Sequence, residues 1–458
     1  MRVHEGAAAV NRPVLVIGGG FAGLAAAVAL ASKGRRIRLL EQKPHLGGRA
    51  RSLIEPVTGS VVDNGQHLLM GCYHSTLRFL ETIGAAGRVR FQPGFALEFL
   101  DASGKRTHLR CPRLPAPWHL LAGVIGSGSF TAREKWELLR FARMLRRNSR
   151  SATAPADGAT VSSWLRQAGQ SETLQHNFWN LLAVAAMNED PEIASAQIFE
   201  RVLRLALFSS AADSRLGFAR TGLSDLYSSL APAYLQDRGG QLELNRNVRR
   251  FIIEEGACRG VELAGGERLE ADHIISAVPW NSFTLLLPPG LLRSDPFFTR
   301  TLALRPAPII SINLWFDRRI TEVEFAALRD TTIQWLFNRG DDGSGEPFVS
   351  IVLSGAHAHV ARPKEEILAM ALRELGQLLP AAREARLRHS LLIKERFATF
   401  SPHVGVEALR PTARTPVRGL YLAGDWTATG LPATIEGAAQ SGYTAVDELE
   451  NDLGRIVE

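Results

Sequence analysis

Apolar positions near the start of the chain fall into short and long runs. Val14 to Ile17 is an unbroken apolar run of the kind that forms a strand buried on both faces. Ala22 to Lys33, rich in Ala and Leu, has helical length and stops at Gly34. Ile37 to Leu40 is a second short run, so the order predicts strand, helix, strand. Further along, Gly222 to Leu230 starts a helix with Ser224 as its cap. Gly239 to Leu244 and Asn247 to Ile253 read as strands, Gly256 to Leu269 as a hairpin, and Ala271 to Pro279 as another buried strand. The stretch 91–221 reads as helical. The stretch 286–394 carries strands at Ile309 to Phe316 and Phe348 to Leu353, then a helix at Lys364 to Leu379. Ser149 to Thr160, built of Ser, Ala, Pro and Asp with little else, reads as a loop.

The turn between the first strand and helix carries chemistry. Gly18, Gly20 and Gly23 make a G-x-G-x-x-G pattern: the first permits the tight turn, the second admits a pyrophosphate, and the third lets helix and strand pack closely. The helix start, with its free N–H groups, faces that pyrophosphate. Glu41, directly after the second strand, stands where an acid bonds a ribose hydroxyl. Gly47, Gly48 and Arg49 follow, and paired glycines with an arginine beside the phosphates suit a flavin dinucleotide. Near the other end, Gly419 to Trp426 and Ala433 to Ala439 repeat the idiom of a strand, a Gly-Asp turn and a helix start. The expected fold is therefore α/β. A Rossmann-like FAD-binding domain is drawn from 1–90, 222–285 and 395–458, and an inserted α+β substrate domain from 91–221 and 286–394.

Composition narrows the class. The chain has 458 residues, of which 45% are hydrophobic and 22% charged, enough for two cores. It has no run of eighteen apolar residues, so no membrane-spanning helix is expected. Residues 1–12 lack the apolar centre of a signal peptide, and the three scattered cysteines suit a reducing cytoplasm. No His/Cys spacing predicts a metal. The net charge of +7 is concentrated in Arg133, Lys135, Arg140, Arg143, Arg146, Arg147 and Arg150, just after a nearly uncharged segment from Pro115 to Phe130. That order fits a shallow contact near 115–150 with the inner face of a membrane, or equally a buried helix followed by a solvated one. Nucleic acid is not expected, since no aromatic-plus-basic binding motif accompanies the charge.

Taken in order, these motifs resemble the flavin amine oxidase and phytoene desaturase superfamily over essentially the whole chain. Three segments, Val62 to Tyr73, Asn188 to Arg204 and Gly424 to Ala438, resemble the hydroxysqualene dehydroxylase family within it. The resemblance implies FAD and its contacts. Gly18, Gly20 and Gly23 should line the pyrophosphate and Glu41 should hold the adenosine ribose, with Phe21, Ala22 and Gln42 also binding the cofactor. Gly48 and Arg49 should flank the phosphates, and Val248 should meet the adenine edge. Gly424 and Asp425 should hold the ribityl and pyrophosphate region. Thr434, Ile435 and Glu436 should sit by the isoalloxazine ring. It also implies a hydrophobic isoprenoid substrate and an external electron donor, either NADPH or a reductase, since the chain shows one dinucleotide fingerprint.

The implied reaction removes an allylic hydroxyl. Hydroxide leaves badly without a proton, so an acid is needed near the oxygen. His67 and Asp63 are the candidates, with a purely structural histidine as the competing reading of His67. Trp179, Phe199, Phe208, Trp315, Trp335 and Phe337 offer aromatic material for a dry tunnel or simply for core. Three other functions stay open: a carotenoid-type desaturase, an amine oxidase and a non-catalytic membrane-associated flavoprotein scaffold. An amine oxidase would want two aromatics at the flavin face. Trp426 supplies one, but Leu431 and Pro432 stand where a second is expected.

Overall fold

A computed structural model describes residues 12–147, 155–340 and 346–457. Half of the expected loop at Ser149 to Thr160 (residues 149–154), which includes the basic Arg150, and the tail 1–11 lie outside the described residues.

Strand β1 (Val14–Ile17) pairs in parallel with β2 (Ile37–Leu40) on one side and with Ile274–Ser276 on the other. Gln241–Glu243 and Leu420–Leu422 extend this to a five-stranded parallel sheet. Its strands come from the beginning, middle and end of the chain. Helix α1 (Phe21–Ser32) is buried from Phe21 through Ala31, because one side packs on the sheet and the other meets the C-terminal helix Ile435–Val457. Small residues permit that crossing. A Cβ on Gly442 would stand 2.4 Å from the Ala22 carbonyl oxygen. The period of two in β1 sends Val14 and Val16 to the helical side. Leu15 and Ile17 face a second core shared with the antiparallel strands Val248–Glu254 and Ala257–Leu263.

The second sheet has seven strands, in the order 387–400, 306–316, 348–353, 335–340, 325–328, 96–100 and 106–110. Helix Lys364–Leu378 covers one face, where Ile310, Ile312 and Leu314 meet Ile367, Met370 and Leu375. The hairpin 96–110 corrects the expectation that 91–221 is helical throughout. Its alternation is short, and the strand gains stability only by pairing, Leu100 with Leu328, to a segment more than two hundred residues later. The rest of that stretch is largely helical, including α3 (Trp118–Gly126) and α4 (Ala132–Arg147), with α2 (His74–Thr82) before it.

Ser224 does not cap a helix. It lies in a single 3₁₀ turn, Leu223–Leu226, and its hydroxyl accepts the Ser52 N–H at 2.8 Å. The α-helix begins later, at Leu230.

Candidate active site

The glycine turn leaves a cradle open above the sheet. Gly18 takes φ +105°, a conformation that suits glycine alone, and a Cβ there would lie 2.8 Å from the Ala277 carbonyl. A Cβ on Gly23 would lie 1.9 Å from the Gly18 carbonyl, so the third glycine closes the turn against the helix. Gly20 differs from both: a Cβ there meets nothing within 4 Å. Nothing in the protein demands a glycine at 20, so the open space is where a ligand would go. Gly48 (φ +59°) faces it, with its added Cβ 3.6 Å from the Gly20 Cα. The free N–H groups at the start of α1 point into this gap, which fits a pyrophosphate.

The other expected cofactor residues gather round the same space. One cavity of about 1510 Å³ is lined by Gly18, Gly20, Phe21, Ala22, Glu41, Gln42, Gly48, Arg49, Val248, Gly424, Asp425, Thr434, Ile435 and Glu436. Gly23 stands just behind, against the turn. The buried Glu41 carboxylate accepts the Gly19 N–H at 2.6 Å and the Lys43 N–H at 2.8 Å, which ties the turn to the end of β2. Asp425 accepts from the Arg49 guanidinium at 2.7 Å, and Arg49 also donates to the Ala398 carbonyl. One ion pair thus joins the N-terminal and C-terminal motifs. Beneath it lies Arg410, a residue absent from the sequence-based expectations. Wholly buried, it donates to the carbonyls of Asp425 and Leu431 and to Thr429 and Glu407, and burial holds its pKa below the usual guanidinium value. Nothing about an arginine between a leucine and a proline announced that role.

Glu436 lines the cavity, but its carboxylate is turned away to another task. It accepts the N–H groups of Ser75 and Thr76, both at 2.9 Å, and the Thr76 hydroxyl. Four orphan N–H groups at the start of α2 make that the better partner for an anion. Thr434 caps the C-terminal helix, its hydroxyl accepting the Gly437 N–H at 3.0 Å.

The cavity continues from the cradle into an apolar chamber. Leu120 and Val124 of α3, Leu138, Phe141 and Leu145 of α4, and Trp335 and Phe337 of the large sheet form its walls. Trp179, Phe199 and Phe208 line it too. Trp315 does not: it is fully buried, stacks on Phe348 at 4.9 Å and donates to Ser60. Trp426 is fully buried as well, with its indole N–H on the Val278 carbonyl and its ring against Phe283 at 5.6 Å.

The two acid candidates separate. Asp63 is buried in strand Val61–Asp63 and is absent from the cavity wall. Its carboxylate accepts from Ser52 at 2.6 Å and from the Leu223 N–H at 2.9 Å, and Arg339 stands 3.8 Å away. That is a fastening role, so the expectation that Asp63 meets the substrate is corrected. His67 does line the cavity, and its buried Nε2 has no partner. Burial holds its pKa below 6.5; the nearby Asp63 charge and a hydrogen bond to the Asn64 backbone push the other way but do not overcome it. With Nε2 unpartnered, that backbone bond falls to Nδ1. Beside it, Gln66 accepts from Arg339 at 3.3 Å, and its buried Nε2 is likewise without a partner. Gln66 sits in the same motif as His67 but was not expected at the site. Only the fold shows that both residues line a mostly apolar cavity and that each keeps a buried nitrogen without a partner.

A glycine cradle for a dinucleotide, joined to an apolar chamber with a few polar atoms, defines a flavin-dependent oxidoreductase. The family model described as flavin containing amine oxidoreductase matches residues 21–449, and the chain belongs to that family. The hydroxysqualene dehydroxylase of Rhodopseudomonas palustris is 29% identical over 453 residues, covering 96% of this chain and 98% of its own. The 15-cis-phytoene desaturase of Synechococcus elongatus is 25% identical over 450 residues, covering 94% of each. Among solved structures, an oxidoreductase from Methanosarcina mazei superposes with a TM-score of 0.71 at 17% identity, over 96% of this chain and 100% of that one. Putrescine oxidase superposes at 0.69 and 16%, over 96% and 99%. The protein is an FAD-dependent oxidoreductase.

Proposed function

We propose that this enzyme dehydroxylates hydroxysqualene to squalene, a step toward hopanoids. The observation that carries the reading is the cavity. Its roughly 1510 Å³ exceeds the ~300–1,000 Å³ that holds a single small ligand. One end is shaped for a dinucleotide, and the other is apolar over many side chains. The full-length likeness to hydroxysqualene dehydroxylases at 27–29% identity supports the same reading.

When bound and reduced, FAD supplies the hydride. The overall change balances as R–OH and FADH₂ giving R–H, water and FAD. The chain's own residues do the rest. The apolar walls exclude water and hold the hydrocarbon. On this reading Gln66, through its unpartnered Nε2, donates a hydrogen bond to the hydroxyl oxygen, and His67, through its Nε2, holds or moves the proton; both residues line the cavity. An imidazole with a depressed pKa is a strong acid once protonated, which is what a poor leaving group requires. Arg49, Asp425 and Arg410 keep the two halves of the cradle together.

A second reading, desaturation of phytoene, is favoured by the 25% likeness to the cyanobacterial desaturase. Purified enzyme given hydroxysqualene and chemically reduced FAD without oxygen separates the two. Squalene formation supports the proposal. Phytoene dehydrogenation, or amine-dependent peroxide, would replace it. Loss of flavin colour on mixing with NADPH tests the nicotinamide as electron donor.

A further inference from the structure

We propose that α3 and α4 form a docking surface for an anionic lipid bilayer and the portal through which the isoprenoid enters the chamber. Helix α3 is apolar on two faces, and α4 sets one exposed indole in a basic outer face. Their inner faces, Leu120 and Val124 on α3 and Leu138, Phe141 and Leu145 on α4, line the cavity at helical spacing. An outer face ought then to be polar. On α3, Trp118 is instead 53% exposed and Ile125 55%, and on α4, Trp136 is 68% exposed among arginines. Helix α3 contains no charged residue at all, yet it stands at the surface.

The charge next to this patch has a sign and a purpose. Three basic residues of α4 have partners within the protein surface: Arg133 on Glu137, Lys135 on the Ile125 carbonyl and Arg140 on the Ala168 carbonyl. Arg143 and Arg146 are exposed and have no ion pair among the described residues. Arg143 lies seven residues after Trp136, on the same stripe. Exposed indoles beside unspent arginines match the boundary between acyl chains and acidic head groups. No helix among the described residues is long and apolar enough to cross a membrane, so the contact is a shallow one.

Close to α4, the cavity wall includes Leu205, which is itself 42% exposed. The Arg204 guanidinium bonds the Leu145 carbonyl and so ties that exposed part of the wall to the end of α4. A hydrocarbon leaving the bilayer at this point would pass from one apolar surface to another without crossing water. At ~0.8 kcal/mol per buried CH₂, an aqueous route for so long a chain is prohibitive. The portal rests on the substrate class proposed above; the docking surface does not.

The test uses the FAD-loaded full chain and vesicles of phosphatidylcholine with or without phosphatidylglycerol. The wild type should pellet with the anionic vesicles and be released by salt. W118S/W136S and R143E/R146E should each reduce the bound fraction about tenfold or more, since each surface arginine contributes ~1 kcal/mol, about fivefold. Their flavin spectra, melting temperatures and turnover of detergent-dispersed hydroxysqualene should match the wild type, while turnover of vesicle-borne substrate falls. Failure of the wild type to pellet overturns the surface, as does equal pelleting of the variants. A self-association abolished by W118S/W136S, without vesicle binding, overturns it in favour of a second copy. Vesicle binding without turnover of hydroxysqualene in either medium keeps the surface and defeats the substrate.

Discussion

His67 and Asp63 are four residues apart in sequence, yet the structure gives them opposite work. Asp63 accepts three interactions and faces no cavity, whereas His67 lines one and keeps a buried nitrogen without a partner. Their variants should therefore fail differently. His67→Gln should keep its FAD and melting temperature but slow single-turnover dehydroxylation about 10²–10⁴-fold, the range of a lost acid–base group. Asp63→Asn should instead cost about 1–3 kcal/mol of stability through its broken hydrogen bonds, with the chemical rate of the surviving folded enzyme changed far less than by His67→Gln, and only through the lost charge near His67. Rapid-quench turnover and denaturant titration on the same preparations check both; a His67→Gln enzyme with a wild-type rate removes His67 from the chemistry. Glu436 makes a third case. Its carboxylate caps α2, so Glu436→Gln should destabilise the fold by about 0.5–2 kcal/mol while the visible flavin spectrum stays as it was. A shifted flavin spectrum with unchanged stability would restore the expectation that Glu436 acts on the ring.

At the level of elements, the glycine turn makes the sharpest prediction, because two of its glycines exist for different reasons. Gly23→Ala would drive a methyl to 1.9 Å from the Gly18 carbonyl and should destabilise the fold by about 1–3 kcal/mol. Gly20→Ala meets no protein atom within 4 Å, and its φ of −79° accepts any residue. That protein should fold normally and lose FAD, as A₄₅₀-type flavin absorbance against protein concentration will show; full FAD content in a stable Gly20→Ala protein would place the pyrophosphate elsewhere. The turn was legible in the sequence because its chemistry is local: strand, three glycines, helix and acid follow one another. Strands Ile309 to Phe316 and Phe348 to Leu353 were legible for a similar reason, as long β-branched and apolar runs. The hairpin 96–110 was not, because its strength comes from pairing with 325–328, which no local pattern records. Ser224 misled because a capping residue type next to an apolar run looks the same whether it caps a helix or receives the N–H of Ser52. Arg410 and Gln66 were invisible because their meaning lies in burial, and burial is a property of the fold.

Across the whole molecule, four fully or partly buried histidines set an acid limit on stability. His67, His119, His273 and His359 all have their pKa values lowered below 6.5, in each case first by burial. In the native protein they take up protons only at a lower pH than they would in the unfolded chain. In the unfolded chain they take up protons once the pH drops below about 6.5. The unfolded state then binds more protons than the native one, so stability is fully present above that pH and falls as the pH goes lower. Carboxylates such as Glu55, Glu137 and Asp213 have pKa values lowered below their ordinary ones despite burial, through the hydrogen bonds they accept. Their contribution is lost only as the pH falls further, through their own native values below the carboxylate range. Two acid-induced losses should thus be separable by denaturant titration, a first below about pH 6.5 and a second in the carboxylate region. His67→Gln should flatten the first and leave the second intact. The same protein measured with FAD should be more stable at every pH, by the mass action of a ligand that binds only the folded chain. If His67→Gln leaves the first loss unchanged, His67 is not held neutral by its surroundings, and the low-pKa proton carrier on which the proposed chemistry relies is lost with it.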